Sequence, residues 1–240
     1  MTDTDEYKQE EMREKYNAGD YFESHRKALD NLETPFQRYR IRNVLKLYDP
    51  QPHECILDLG CGWGTFSLLL AQKCREVIGL DYSEKSIEIC QNLAASKDFE
   101  NLRFVCEDVT NTKLKSSSID VVIAADLFEH LYPNVSKKAI VEAHRVLKPG
   151  GRIIIWTPHR GHFIEVFKNK GILLKSEPFH VDYKSMNWLQ NTLQANGFEV
   201  EVKRYAVSHI PVLSFFETLL MPVFPFLRRR IGIVARKPLM

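Results

Sequence analysis

From Cys55 onward, short apolar runs alternate with amphipathic segments. Ile56-Leu57-Asp58-Leu59, Val77 to Asp81, Leu102 to Cys106, Ile119 to Ala124 and Arg152 to Trp156 read as five strands. Each is too short for a helix and nearly continuous in hydrophobicity, as strands buried on both faces are. Helical segments separate them: one through Ser67–Leu70, one over residues 84–95, and one carrying Ile140, Val141, Val146 and Leu147 that stops at Lys148-Pro149-Gly150-Gly151. That alternation predicts a parallel sheet with helices on both faces and right-handed crossovers. Further on, Ser185 can cap a helix holding Trp188, Leu189 and Leu193, closed by Asn196-Gly197. Phe198 to Lys203 alternates strictly, which predicts a half-exposed, antiparallel strand, and Ile231 to Ala235 is a last strand paired with it. The expected fold class is α/β: a single domain with a seven-stranded, mostly parallel sheet and an antiparallel terminal strand.

Residues 1–50 are expected to form an N-terminal helical cap, and 51–240 the α/β domain. The first 33 residues are highly charged and predict one or two loose helices. Thr34-Pro35 supplies an N-cap and a proline at the first helical position. Phe36, Tyr39, Val44, Leu47 and Tyr48 give the following helix an apolar face, with Arg38, Arg40, Arg42 and Lys46 assigned to solvent, and Asp49-Pro50 ends it. An apolar insertion at 208–228 interrupts the domain. Ile210 to Leu227 carries one charge and then meets Arg228-Arg229-Arg230. A spanning helix needs about 20 apolar residues, and Pro222 and Pro225 would break this one. The strands on either side pair in one sheet, so both ends of the insertion must lie on one side of any bilayer. Two readings stand. Either the segment covers the substrate pocket or a dimer partner, or its apolar face lies in a membrane interface with the three arginines on anionic headgroups.

Composition narrows the partners. Lys plus Arg total 33 against 31 for Asp plus Glu, a net charge of +2 that gives no global field for nucleic acid. The basic clusters lack the interleaved aromatics of a base-stacking surface, so nucleic acid is not an expected partner. Five cysteines without a CxxC pair read as free thiols in a reducing compartment. The polar, acidic start MTDTDEYKQEEMREK offers no apolar leader, so a cytoplasmic location is expected, with peripheral contact at the inner face of a membrane as the alternative raised by the insertion.

The candidate chemistry begins at Gly60-Cys61-Gly62-Trp63-Gly64, a glycine turn at the carboxyl end of the first strand. Ligands of open α/β sheets bind at that end, and glycines let the backbone approach them closely. Asp81 follows at the end of the second strand, placed to accept hydrogen bonds from ribose hydroxyls. Position 65 is Thr, so the third glycine of dinucleotide-binding turns is missing. The expected ligand is therefore a nucleoside without a pyrophosphate.

Five pieces stand in register: Leu57 to Gly64, Gly79-Leu80-Asp81-Tyr82-Ser83, Glu107-Asp108-Val109, Asp126-Leu127-Phe128-Glu129-His130, and Leu147 to Gly151. Together they closely resemble the class I S-adenosylmethionine (SAM)-dependent methyltransferases over roughly residues 52–207. The resemblance implies a Rossmann-like sheet and SAM as cofactor. It implies Gly60 and Gly62 along the methionine part, Asp58 supporting its amino end, Asp81 on the ribose, Tyr82 against the adenine, and Asp108 with the Val109 amide on the adenine edge. Cys61 and Asp126 complete the expected cofactor-binding set. The alternative is a Rossmann-like domain that takes another nucleotide or none.

Asp126, Glu129 and His130 have the spacing i, i+3, i+4 and would share a face if helical. Methyl transfer to oxygen needs a base, or a metal that lowers the hydroxyl pKa. The DxxEH pattern is similar to the ExxEH of quinone-biosynthesis and small-RNA O-methyltransferases, whose acidic and His residues bind a divalent ion with a further His downstream. Here His180 stands in the comparable place, while Asp126 is one methylene shorter than Glu. Glu129, His130 and His180 are the expected catalytic residues, with three roles open: ordering the loop, His130 as base, or a divalent metal site. His159 and His162 could face the substrate, although each by itself reads as a surface histidine. The roughly 25 residues after Trp156 are too long for a plain connection and suggest a lid. Phe163, Ile164, Val166, Phe167, Ile172, Leu173 and Leu174 in it suggest an apolar acceptor pocket or a cover for the core. The expected function is O-methylation of a hydrophobic or membrane-resident small molecule, such as a quinone precursor or lipid. The alternatives are N-methylation of a lipid headgroup or small amine, and a non-catalytic SAM-binding partner of another enzyme.

Overall fold

The computed structural model describes residues 4–18, 34–97, 99–169 and 179–239. Five strands run parallel: β1 (Cys55–Leu59), β2 (Glu76–Asp81), β3 (Leu102–Cys106), β4 (Ile119–Ala125) and β5 (Leu147–Pro158). β6 (Glu199–Ala206) and β7 (Arg230–Arg236) complete a seven-stranded sheet of order β3-β2-β1-β4-β5-β7-β6, in which β7 lies antiparallel to both neighbours. This is the expected Rossmann-like class. β6 alternates exposed and half-buried positions over much of its length, because it is an edge strand with one solvated face.

Alternate residues along the central strands feed two cores. Leu57, Leu59, Ile78 and Leu80 pack on one face with helices α5 (Pro133–Val146) and α7 (Met186–Ala195). Ile56, Val77, Val121 and Trp156 pack on the other against α2 (Pro35–Leu45) and α3 (Thr65–Leu70). The caps are those expected: Thr34 Oγ1 accepts from Gln37 N at 3.2 Å, and Ser185 Oγ accepts from Trp188 N at 3.1 Å. Ser83 caps α4 (Glu84–Ala95) in the same way.

Two expectations need correction. Arg40 is buried on the inner face of α2 rather than solvated, because its guanidinium pairs with Asp126. His162 is fully buried rather than on the surface. The long segment after β5 holds helix α6 (Phe163–Asn169); Ile172, Leu173 and Leu174 lie outside the described residues. At the amino end, α1 (Thr4–Asn17) buries Met12 and Tyr16 against the carboxyl edge of the sheet, so part of the cap sits on the candidate site. Residues 1–3 and 19–33 lie outside the described residues.

Candidate active site

The turn after β1 is built by backbone geometry. Gly60 has φ +73°, and a Cβ there would lie 2.6 Å from Leu127 Cδ1. Gly62 has φ +51° with open space where a side chain would stand, so its backbone faces the cleft uncovered. Gly62 N donates to Asp81 Oδ2 at 2.9 Å and Ser83 N to Asp81 Oδ1 at 3.0 Å. Each carboxylate oxygen keeps a second acceptor position. Burial raises the Asp81 pKa, and these amides oppose the rise. Asp58 lies beneath the turn, accepts from Ser67 Oγ at 2.6 Å, and is pushed by burial up to about 6.

A cleft of about 60 Å³ lies over this turn, lined by Gly60, Gly62, Asp81, Tyr82, Asp126, Leu127, His130, Leu131 and Tyr16. Ligand pockets usually span about 300–1,000 Å³. Tyr16 of α1 forms part of the cleft wall, with its ring 5.8 Å from Tyr82, 5.9 Å from His130 and 5.0 Å from Phe179. Of the expected cofactor residues, Gly60, Gly62, Asp81, Tyr82 and Asp126 line this space. Cys61 is buried with its amide on Leu80 O, Asp108 is exposed with its carboxylate on Thr110, and Val109 is buried.

Asp126 does not share a helical face with Glu129 and His130. It takes φ +58°, which breaks any helix before it starts, and only Phe128–His130 form a 3₁₀ turn. Its Oδ2 accepts from Arg40 Nε at 2.6 Å and its Oδ1 from Arg230. Burial pushes the Asp126 carboxyl up, but the guanidiniums of Arg230 and Arg40 more than offset this and hold it well below the usual range. Arg40 and Arg230 were invisible as site residues in the sequence, since their partner lies 86 and 104 positions away.

Glu129, His130 and His180 do converge. Glu129 O accepts from Val181 N at 2.9 Å and Asp182 N at 3.2 Å, which draws the His180 loop across the turn. The two imidazole centroids stand 4.8 Å apart, and one donor atom from each of the three residues lies within 4.8 Å of the others. His130 Nδ1 is 2.8 Å from Phe179 O, which can only accept. In the neutral ring Nδ1 therefore carries the proton and Nε2 is the basic nitrogen. Tyr16 Oη lies 2.6 Å from the same Nδ1, and His180 Nδ1 is 2.9 Å from Tyr183 Oη. Glu129 is buried, accepts from Thr157 Oγ1 at 2.9 Å, and is raised to about 8 by burial and by Asp126. Two imidazoles and a carboxylate suit a first-row divalent cation, whose charge would reverse that rise. His159 and His162 stay apart: His159 Nδ1 bonds Arg228 O at 3.0 Å, and His162 packs near Glu217 of the insertion.

A glycine turn, a buried acid on its amides and an aromatic after that acid all stand at the carboxyl edge of this sheet, where ligands of open α/β sheets bind. Residues 56–151 match the family model described as "Methyltransferase domain". Over those residues the chain is similar to that family. The family implies SAM as cofactor, and the open Gly62 backbone, Asp81 and Tyr82 fit it. A probable SAM-dependent methyltransferase of Mycolicibacterium smegmatis is 30% identical over 169 residues, 69% of this chain and 61% of that protein. Phosphoethanolamine N-methyltransferase 1 of Triticum aestivum is 33% identical over 55% of this chain and 26% of its own length. The ubiquinone biosynthesis O-methyltransferase of Coxiella burnetii is 30% identical over 44% of each. The chain thus spans less than two thirds of these relatives. Among solved structures, the [4+2]-cyclase SpnF shares the fold, with a TM-score of 0.66 at 18% identity over 85% of this chain and 81% of that one.

Proposed function

We propose that this protein is a SAM-dependent methyltransferase that methylates an oxygen of a hydrophobic small molecule. The observation that supports this most is that one cleft is lined by the glycine turn, Asp81 and His130, and that His130 belongs to the Glu129–His130–His180 cluster. When bound, SAM supplies an electrophilic methyl on a sulfonium. The chain's own residues then have two tasks. Positioning falls to the turn and to Asp81, with Asp58 beneath them to meet the positive amino end. Removal of the acceptor's hydroxyl proton falls to His130 Nε2, whose ring is fixed at Nδ1 by the Phe179 carbonyl. If a divalent cation is used, Glu129, His130 and His180 hold it and it lowers the pKa of the same hydroxyl. Entry of the nucleoside requires Tyr16 to leave the cleft, which makes α1 the lid of the site.

N-methylation is the second reading, favoured by the likeness to the wheat enzyme, and it needs neither a metal nor so strong a base. Transfer of labelled methyl from SAM to an extract fractionated into lipids, soluble metabolites and RNA tests both. Label in a lipid-soluble phenol or alcohol supports the first, and label in an amine the second. Label in RNA alone overturns the small-molecule reading, and SAM binding without transfer to any fraction leaves a non-catalytic partner.

A further inference from the structure

Helix α8 (Pro211–Leu220) and the 3₁₀ turn Pro225–Leu227 stand between β6 and β7 at the carboxyl edge of the sheet. Ala206 pairs with Arg230, so the segment leaves and re-enters the domain at one point. Most of its large apolar side chains face away from the protein. Val212 and Val223 are each 71% exposed and Leu219 66%, with Phe215, Phe216 and Phe226 about half exposed or more. A pocket cover would turn these residues inward, and this one does not.

Charge separates the remaining occupants. The single acid, Glu217, is 1% exposed, accepts from Ser208 N at 2.5 Å and sits opposite His162. The outward face therefore shows no negative charge. The cations at its root are Arg228, stacked 4.6 Å from the Tyr205 ring, and exposed Arg160, next to the His159 that bonds Arg228 O. Arg230 is not among them, since it is turned inward on Asp126, and Arg229 is half-buried. An exposed aromatic and aliphatic face with a cationic rim and its one acid withdrawn matches an anionic lipid surface. Ten helical residues reach about 15 Å, half of a hydrocarbon core, so the contact is interfacial. No helix among the described residues is long and apolar enough to cross a membrane.

We propose that this face docks on an anionic bilayer and sets the carboxyl edge of the sheet against the lipid. Arg230 links the docking segment to Asp126 at the cleft wall, so the acceptor would enter the cleft from the membrane side. That last step rests on the methyltransferase reading, whereas docking does not.

The test is co-sedimentation of the whole chain with vesicles of phosphatidylcholine plus phosphatidylglycerol, and with phosphatidylcholine alone. Binding to the anionic vesicles that weakens with salt is expected. Phe215→Asp with Leu219→Asp should lower the partition coefficient at least about tenfold, and Arg228→Glu about fivefold or more. All these side chains are at least partly exposed, so the variants keep the fold, and SAM titration of each should match the wild type. No sedimentation with anionic vesicles at low salt overturns the proposal, as does binding that the double variant leaves unchanged. A wild-type dimer by sedimentation equilibrium that the double variant dissolves, without vesicle binding, assigns the face to a second copy instead. Vesicle binding by a protein that takes up no SAM would refute the methyltransferase reading while leaving docking intact.

Discussion

Asp126→Asn isolates the charge at the junction of cap, cleft and insertion. Asparagine is nearly isosteric and tolerates the left-handed backbone at φ +58° as well as aspartate does, so no backbone cost enters. What changes is the pairing. In the wild type Arg40 Nε lies 2.6 Å from one carboxylate oxygen and Arg230 bonds the other, with the three side chains 10%, 11% and 16% exposed. Removing one partner of a buried pair costs about 3–5 kcal/mol, because the remaining charge is left desolvated. The slight exposure of the trio puts the expected loss near the lower bound, about 3 kcal/mol. That is a large part of a typical domain stability of about 5–15 kcal/mol. Urea unfolding followed by far-UV circular dichroism measures it. A second arm uses pH. The folded-state pKa of Asp126 is depressed, so its contribution is present above the unfolded value of about 3.9 and is lost as pH falls through the folded value. Wild-type stability should therefore fall more steeply below about pH 4 than that of Asp126→Asn. A midpoint shift worth less than about 0.5 kcal/mol, with unchanged slope, would refute the buried-pair reasoning.

Burial places Asp58 near 6, so if it meets the amino end of SAM, affinity should weaken about tenfold from about pH 7 to about pH 5, and pH-independent binding would count against that role. If the histidine cluster holds a metal, Mn²⁺ or Zn²⁺ binding by calorimetry should be lost in His130→Ala and in His180→Ala, and methyl transfer should vanish with chelator and return with the ion. Full turnover in excess chelator would leave His130 as base, and full turnover by His130→Ala would remove that as well. Tyr16→Ala opens the cleft and should raise the SAM association rate severalfold in stopped-flow, while an unchanged rate would mean that α1 does not gate entry.

The sheet was legible because buried parallel strands need continuous apolar runs, and the caps at Thr34 and Ser185 need particular side chains. The glycine turn was equally readable, since Gly60 and Gly62 must take positive φ. Two inferences from helical periodicity failed for physical reasons. Arg40 was assigned to solvent because charge usually is, and its buried partner lies far away in sequence. Asp126 was grouped with Glu129 and His130 by i, i+3, i+4 arithmetic, which does not hold across a left-handed residue. Tyr16 went unnoticed as part of the site, although Met12 and Tyr16 at i, i+4 are the two buried positions in an otherwise charged helix. His180 was placed beside His130 through resemblance alone; the bonds to Glu129 O that bring it there have no sequence signature.

The central claim is a SAM site at the turn after β1, anchored by Asp81. Calorimetric titration of SAM into the wild type and Asp81→Ala tests it most directly. A charge-assisted hydrogen bond contributes about 1.5–3 kcal/mol, so a folded Asp81→Ala protein should bind roughly 10- to 100-fold more weakly. No binding by the wild type, or equal affinity in the two folded proteins, would contradict the account.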